Sequence, residues 1–75
     1  MPKLPVISGR DAVERFVALG YRAVRQRGSH IRLIHPSSPA RKPLSIPDHH
    51  ELRRGLLRKL LRDAQITVEA FLELP

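Results

Sequence analysis

The chain of 75 residues has no cysteine, no tryptophan, one tyrosine and two phenylalanines. Without cysteine it has no disulfide framework and no zinc site built on thiolates. No apolar run approaches the roughly 20 residues that a membrane span requires, and the first ten residues lack the apolar core of a secretory signal. These absences predict one small domain over residues 1–75 that resides in the cytoplasm and has no membrane partner.

Acidic residues are missing from a long central window between Glu14 and Asp48. The window holds seven basic residues and therefore accounts for the whole net charge of +7, since the rest of the chain balances. The seven are Arg15, Arg22, Arg25, Arg27, Arg32, Arg41 and Lys42. Segregated positive charge predicts a polyanion or an acidic protein as partner. Most of these residues are arginine, which suits bidentate contact with phosphate.

Turn and cap signals place the first elements. Ser8, followed three residues later by Asp11, is typical of a helix start, and Gly20 of a helix end. The apolar residues expected on one side of this helix are Val13, Phe16, Val17 and Ala18. Two strands are predicted over 21–27 and 30–35, joined by a tight turn at Gly28-Ser29.

The alternation in the second predicted strand separates two faces. Ile31 and Leu33 share one face, which we expect to pack on the core. His30, Arg32 and Ile34 would then share the exposed face. A loop over 36–43 leads to a short third strand with Leu44 and Ile46, which flanking prolines restrict to a sheet edge.

The remaining pattern is helical. An apolar stripe predicts a helix over about 54–64, and Thr67 can cap a final short helix carrying Val68, Phe71 and Leu72. The stripe consists of Leu56, Leu57, Leu60, Leu61 and Ala64. The resulting order, α-β-β-β-α plus a terminal helix, predicts an α+β two-layer sandwich with an antiparallel three-stranded sheet covered by helices on one face.

His30 is the leading candidate for chemistry. An imidazole can accept a proton near neutral pH, and RNA cleavage needs such a group to take the proton of the ribose 2′-OH. Nearby arginines could hold the phosphate that the 2′-oxygen attacks. A histidine with only a hydrogen-bonding role in a hairpin is the alternative, because spacing alone identifies no catalytic partner.

The neighbouring pair His49-His50 is a weak metal candidate. Adjacent residues point in different directions, and no second ligand pair accompanies them, so we predict no metal site and no cofactor. We interpret "PDHHE" as a strand-to-helix turn in which Asp48 accepts hydrogen bonds from free backbone N–H groups.

A second basic surface runs along the predicted helix 54–64. Arg54, Arg58 and Arg62 recur every four residues on the side away from the leucines. Two separate basic surfaces could flank one RNA backbone, as recognition of double-stranded RNA through phosphates requires. Stacking of single-stranded bases is the weaker binding model, because all three aromatic residues are expected in the core.

Four segments in order resemble the HicA-type toxins, also called YcfA-like proteins. They are "KLPVISGRDAV", "LGYRAVRQRGSHIRL", "SIPDHHELRRGLLRKLLRDA" and "ITVEAFLEL", and the resemblance extends from residue 3 to residue 74. The most specific piece is "RQRGSHIRL" followed after a loop by "PDHHELRRGLL". The resemblance implies a fold similar to a double-stranded-RNA-binding domain and an mRNA-cleaving toxin that is neutralised by a HicB-type antitoxin.

The resemblance also implies site residues. The family's essential histidine corresponds to His30, and Gly28 and Ser29 form the turn that positions it. From charge and placement we add Arg25, Arg27, Arg32, Arg54 and Arg58 as RNA-binding residues. The general acid is left open, since water or a phosphate oxygen could serve.

Two departures from the family concern stability. The family often has Gly-Thr where this chain has Gly55-Leu56, so a helix cap is lost, and it often has glycine where this chain has Gln65. Two rival functions stay open on the sequence: an RNA-binding module without catalysis, and a protein-interaction domain whose basic face binds an acidic partner. DNA binding ranks lower because no helix-turn-helix spacing occurs.

Overall fold

A computed structural model of the chain describes residues 3–75 and contains three helices and three strands in this part. The elements are α1 (Gly9–Leu19), β1 (Arg22–Arg27), β2 (His30–Ile34), β3 (Leu44–Pro47), α2 (Arg54–Asp63) and α3 (Val68–Leu72). The strands form one antiparallel sheet in the order β1-β2-β3. The predicted α-β-β-β-α order and α+β class are therefore confirmed. None of the helices within residues 3–75 has the length and the apolar composition that a membrane-spanning helix requires.

Helix α1 begins and ends where the local signals predict. The Ser8 hydroxyl accepts a hydrogen bond from the backbone N–H of Asp11 at 3.1 Å, and Gly20 adopts a left-handed conformation with φ of 117°. The predicted apolar side is only partly right, because Val17 and Ala18 are exposed while Gly9, Ala12 and Phe16 are buried. The helix is rotated so that its small residues approach the sheet.

Close packing of α1 on the sheet depends on Gly9. A Cβ atom at this position would lie 1.9 Å from the carbonyl oxygen of Pro47, the last residue of β3. The absence of a side chain lets the helix N-terminus meet the end of the strand, and the Gly9 N–H donates to the His49 carbonyl at 2.9 Å. This contact joins α1 to the segment that follows the sheet.

The strands lie within one residue of their predicted bounds. Tyr21 precedes β1, and His35 follows β2. In β2, Ile31 and Leu33 are buried and alternate with exposed residues, as expected. All six residues of β1 are exposed, so this edge strand extends beyond the cover that the helices provide.

One contiguous core lies between the sheet and the helices. It contains the three aromatic residues, as predicted, and most of the leucines of α2. Its fully buried large side chains are Phe16, Phe71, Leu33, Leu44, Ile46 and Leu57. Leu56 is only half-buried and Leu72 is exposed, so the two apolar stripes of the C-terminal half are narrower than the sequence predicts.

The C-terminal helices begin differently. Thr67 caps α3 by accepting a hydrogen bond from Ala70 N at 3.1 Å, as predicted, whereas Arg53 at the start of α2 makes no side-chain cap. Arg15 of α1 donates to the carbonyl oxygens of Phe71 at 3.1 Å and Leu74 at 3.4 Å. This arginine of the basic window thus ties α1 to the end of α3.

Candidate nucleic-acid interface

His30 begins β2 and lies on the face of the sheet that the helices leave open. It pairs with Arg27 across the β1–β2 hairpin and with Pro47 of β3 on its other side. The next pair on the same face is Arg25 with Arg32, because side chains opposite each other in an antiparallel sheet share a face. We call the exposed face with His30, Arg25, Arg27 and Arg32 the open face.

The open face contains a shallow depression. Its volume is about 160 Å³, and its lining consists of Arg25, Arg27, His30, Arg32 and Ser45. Three of the five predicted arginines are therefore brought together around His30. No carboxylate belongs to this lining, so the depression combines one imidazole, three guanidinium groups and one hydroxyl.

Ser45 is the residue that sequence reasoning missed. It pairs with Arg32 across β2 and β3, which puts its hydroxyl on the open face. The alternation of Leu44 and Ile46 toward the core was the available signal, because it leaves Ser45 on the opposite side from those two residues. A hydroxyl at this position can donate to a phosphate oxygen or accept from a ribose hydroxyl.

The turn before His30 is built from the two predicted residues. Gly28 has φ of 54°, a left-handed value that glycine adopts without a steric cost, whereas Ser29 has no positive φ. The Ser29 carbonyl accepts a hydrogen bond from Asp48 N at 2.6 Å. This bond fixes the hairpin tip to the segment that leaves β3.

Asp48 does not act as predicted. Its carboxylate pairs with the Arg10 guanidinium of α1 at 3.0 Å instead of capping backbone N–H groups. Because its own N–H holds Ser29, Asp48 links the first turn of α1 to the turn that positions His30. The Arg10 side chain of this ion pair is largely exposed. The pair therefore orients the segment after β3 but adds little to the stability of the fold.

Arg54 and Arg58 lie elsewhere. Both are exposed on α2, in the helical layer, and neither lines the depression of the open face. The chain therefore presents two basic surfaces on different elements, one around His30 and one along α2.

The other three histidines have separate environments. His35 is half-buried against Tyr21, with ring centroids 5.0 Å apart, and its Nε2 lies 3.1 Å from the Leu19 carbonyl oxygen. His49 and His50 are exposed in the segment before α2. Within residues 3–75 no three histidine, aspartate or glutamate side chains converge as metal ligands would.

Comparison with known proteins gives one match. The family described as "HicA toxin of bacterial toxin-antitoxin" matches residues 9–66, which include the whole open face and α2. Searches of curated proteins and of solved structures gave no match. The predicted likeness to double-stranded-RNA-binding domains therefore stays a prediction. Because the family match covers well over half of the 75 residues, the chain belongs to the HicA toxin family of bacterial toxin–antitoxin systems.

Proposed function

We propose that this toxin is a metal-independent endoribonuclease that binds and cleaves mRNA, with His30 as its catalytic residue. The observation that carries the proposal is the depression in which His30 is surrounded by Arg25, Arg27 and Arg32. An imidazole among guanidinium groups combines a proton acceptor with binding groups for the phosphate that reacts.

The chemistry follows from the groups present. His30 accepts the proton of a ribose 2′-OH, and the 2′-oxygen forms a bond to the adjacent phosphorus. The bond from phosphorus to the 5′-oxygen breaks, and that oxygen takes a proton from water or from the protonated His30. The products end in a 2′,3′-cyclic phosphate and a 5′-hydroxyl.

The arginines stabilise the charge that builds on the phosphoryl oxygens during this displacement. Arg27 lies opposite His30, and the Arg25–Arg32 pair lies one step further along the open face. Their donors come from paired strands of the sheet, which hold side-chain origins more rigidly than loops do.

RNA recognition should depend on the backbone more than on the bases. All three aromatic side chains are buried, so those residues offer no surface for base stacking. Arg54 and Arg58 on α2 provide the second basic surface that a duplex or a folded mRNA region could contact.

We further propose that the partner protein is a HicB-type antitoxin that covers His30. The open face is basic and carries no carboxylate in its depression, which favours an acidic partner surface. Antitoxin and RNA would then compete for the same residues.

The direct test compares the toxin with its His30→Ala variant on a long mRNA in the presence of EDTA. Both proteins must be free of antitoxin and show the same circular dichroism spectrum. We expect fragments with cyclic phosphate ends from the unmodified toxin and none from the variant. Equal cleavage by both, or products with 5′-phosphate ends, would contradict the mechanism.

A particular outcome would support the alternative of an RNA-binding module. Within residues 3–75 the His30 side chain takes part in no hydrogen bond, so none orients its ring for proton transfer. If both proteins bind RNA with a steep salt dependence and neither cleaves it, His30 is a contact residue only.

A further inference from the structure

The basic open face continues beyond the depression to Arg22. Arg22 is exposed at the start of β1 and pairs with Ile34 at the end of β2. We propose that Arg22 binds an RNA phosphate on the open face, away from the phosphate that reacts. This inference rests on the proposed function, because it assigns a further residue to the same RNA-binding surface.

A β-bulge puts Arg22 on this face. The register of the hairpin shifts between Ala23 and Arg25, so Val24 is an extra residue without a partner of its own. In a regular ladder counted from the Arg27–His30 pair, Ala23 would lie opposite Ile34 and Arg22 opposite His35. The bulge reverses the faces of the residues that precede it.

Three arginines of β1 therefore share the open face. The pairs along the face are Arg27 with His30, Arg25 with Arg32, and Arg22 with Ile34. Successive same-face positions in a strand are about 6.8 Å apart, so the last pair lies roughly 14 Å from the His30 pair. Arg22 is thus too distant for the reacting phosphate but continues the same line of positive charge.

Nothing within residues 3–75 engages the Arg22 guanidinium. The two ion pairs in this part of the chain are Arg10–Asp48 and Lys59–Asp63, and Arg22 donates to no backbone carbonyl. Arg15 and Arg41, by contrast, donate to carbonyl oxygens of the C-terminal half at 3.1 Å and 2.9 Å. The basic window thus divides into arginines that hold the fold and arginines that are available to a polyanion.

The position of Arg22 predicts its kinetic role. A contact remote from the reacting bond binds substrate and transition state equally, so its loss raises KM and leaves kcat unchanged. Loss of Arg32, which lines the depression, should lower kcat as well.

The experiment measures RNA affinity between 50 and 200 mM salt, with His30→Ala as the non-cleaving reference. Arg22→Gln is made in that background, together with Arg22→Lys and the exchange Arg22→Ala/Ala23→Arg. The exchange keeps the net charge but moves the guanidinium to the other face of β1, where Ala23 is exposed. Lys3→Gln, which removes one charge from an exposed position before α1, is the matched control.

We expect Arg22→Gln and the exchange variant to lose one phosphate contact. For both variants the slope of log affinity against log salt should become shallower by about 1. The ratio of the reference affinity to the variant affinity should therefore fall about threefold between 50 and 200 mM salt. Arg22→Lys and Lys3→Gln should keep the reference slope. In the cleaving background, Arg22→Gln should raise KM alone.

Two results would overturn the assignment in different ways. If the reference does not bind RNA, the proposed function fails together with the role of Arg22. If the reference binds with a steep salt slope and both the glutamine and the exchange variants match it, only the role of Arg22 is wrong. Equal circular dichroism spectra of the reference and the variants exclude altered folding as the cause of either result.

Discussion

Arg27 and His30 lie directly opposite each other across a turn of only two residues, Gly28 and Ser29. This pairing puts a guanidinium beside the imidazole with the least possible chain between them. The turn is held from outside, because Asp48 N donates to the Ser29 carbonyl at 2.6 Å. The local geometry of the candidate site therefore depends on one tight turn and one backbone hydrogen bond.

Substitution of Gly28 should weaken the turn. A Cβ atom would meet nothing within 4 Å, so the cost of Gly28→Ala comes only from the left-handed backbone at φ of 54°. We expect about 1–2 kcal/mol of destabilisation in urea unfolding. Gly28→Asn should cost less, since asparagine tolerates this conformation. Equal losses for both substitutions would contradict a conformational cause.

Gln65 offers the opposite change. The end of α2 forms a Schellman motif, in which Ile66 N donates to Leu61 O at 3.0 Å and Gln65 N to Arg62 O at 3.1 Å. Gln65 occupies its left-handed position with φ of 56°, where α1 has Gly20. Gln65→Gly should stabilise the protein by about 0.5–1 kcal/mol, because relief of strain exceeds the added entropy of the unfolded chain.

The expected readout for Gln65→Gly is a rise in Tm of roughly 2–8 °C. Gln65→Ala keeps the Cβ atom and should bring no increase. A similar rise with alanine would mean that the glutamine side chain, and not its backbone conformation, is unfavourable.

Alanine substitution of two glycines in first helical turns should change the stability of the protein in opposite directions. Gly9→Ala puts a Cβ atom 1.9 Å from the Pro47 carbonyl oxygen, which forces α1 away from β3 and should cost about 1–3 kcal/mol. Gly55→Ala meets nothing within 4 Å and should gain up to about 1 kcal/mol. Both changes in the free energy of unfolding are measured by urea unfolding. A neutral Gly9→Ala would show that the helix end can shift freely.

Tyr21 should make stability fall at high pH. Burial, as the largest cause, raises its pKa above 10.0, while Arg41 lowers it and Asp63 raises it. A group whose pKa is higher in the folded state than in the unfolded state contributes its full stabilisation below the unfolded-state pKa. This contribution is lost as the pH rises through the folded-state pKa. Unfolding free energies measured between pH 8 and 11.5 should therefore decline above pH 10.

The matched variant is Tyr21→Phe. It removes the hydrogen bond from the Tyr21 hydroxyl to the Lys42 carbonyl, which spans 2.8 Å, and should cost about 1 kcal/mol at neutral pH. It should also flatten the decline above pH 10. A decline that persists unchanged in the variant would assign it to other groups.

Within the depression, we expect Arg32 and Ser45 to contribute unequally to RNA cleavage. Arg32→Gln removes a charged donor beside His30 and should lower kcat/KM by about 10–100-fold. Ser45→Ala removes a neutral donor and should cost roughly 2–10-fold. Lys3→Gln, at an exposed position before α1, serves as a charge control in the same cleavage assay. Equal effects of all three substitutions would indicate nonspecific electrostatics rather than contacts in the depression.

Local sequence signals predicted the ends of the helices and the hairpin turn, whereas the periodicity of α1 predicted its buried side only in part. The Ser8 and Thr67 caps, the Gly20 end and the Gly28-Ser29 turn all formed where the sequence predicts. The rotation of α1 was predicted less well, because Val17 and Ala18 are as apolar as residues of the buried face. The side of α1 that packs on the sheet depended on Gly9, which lies against Pro47, a residue far away in the chain.

The candidate site shows the same division. The alternation in β2 was sufficient to put His30 and Arg32 together on an exposed face, since a strand repeats every two residues. Ser45 joined them only through the pairing of β2 with β3. Arg22 joined their face only through the bulge at Val24, which regular alternation would not reveal.

Conformational preferences and short periodicities are carried by neighbouring residues, so the chain alone specifies its caps, its tight turn, its element order and the exposure of His30. Register between strands, the rotation of α1 and the link from Arg10 through Asp48 to Ser29 arise when distant segments pack. Packing chooses among arrangements that local preferences leave nearly equal in free energy. The composition of the open face around His30 was therefore decided by tertiary structure.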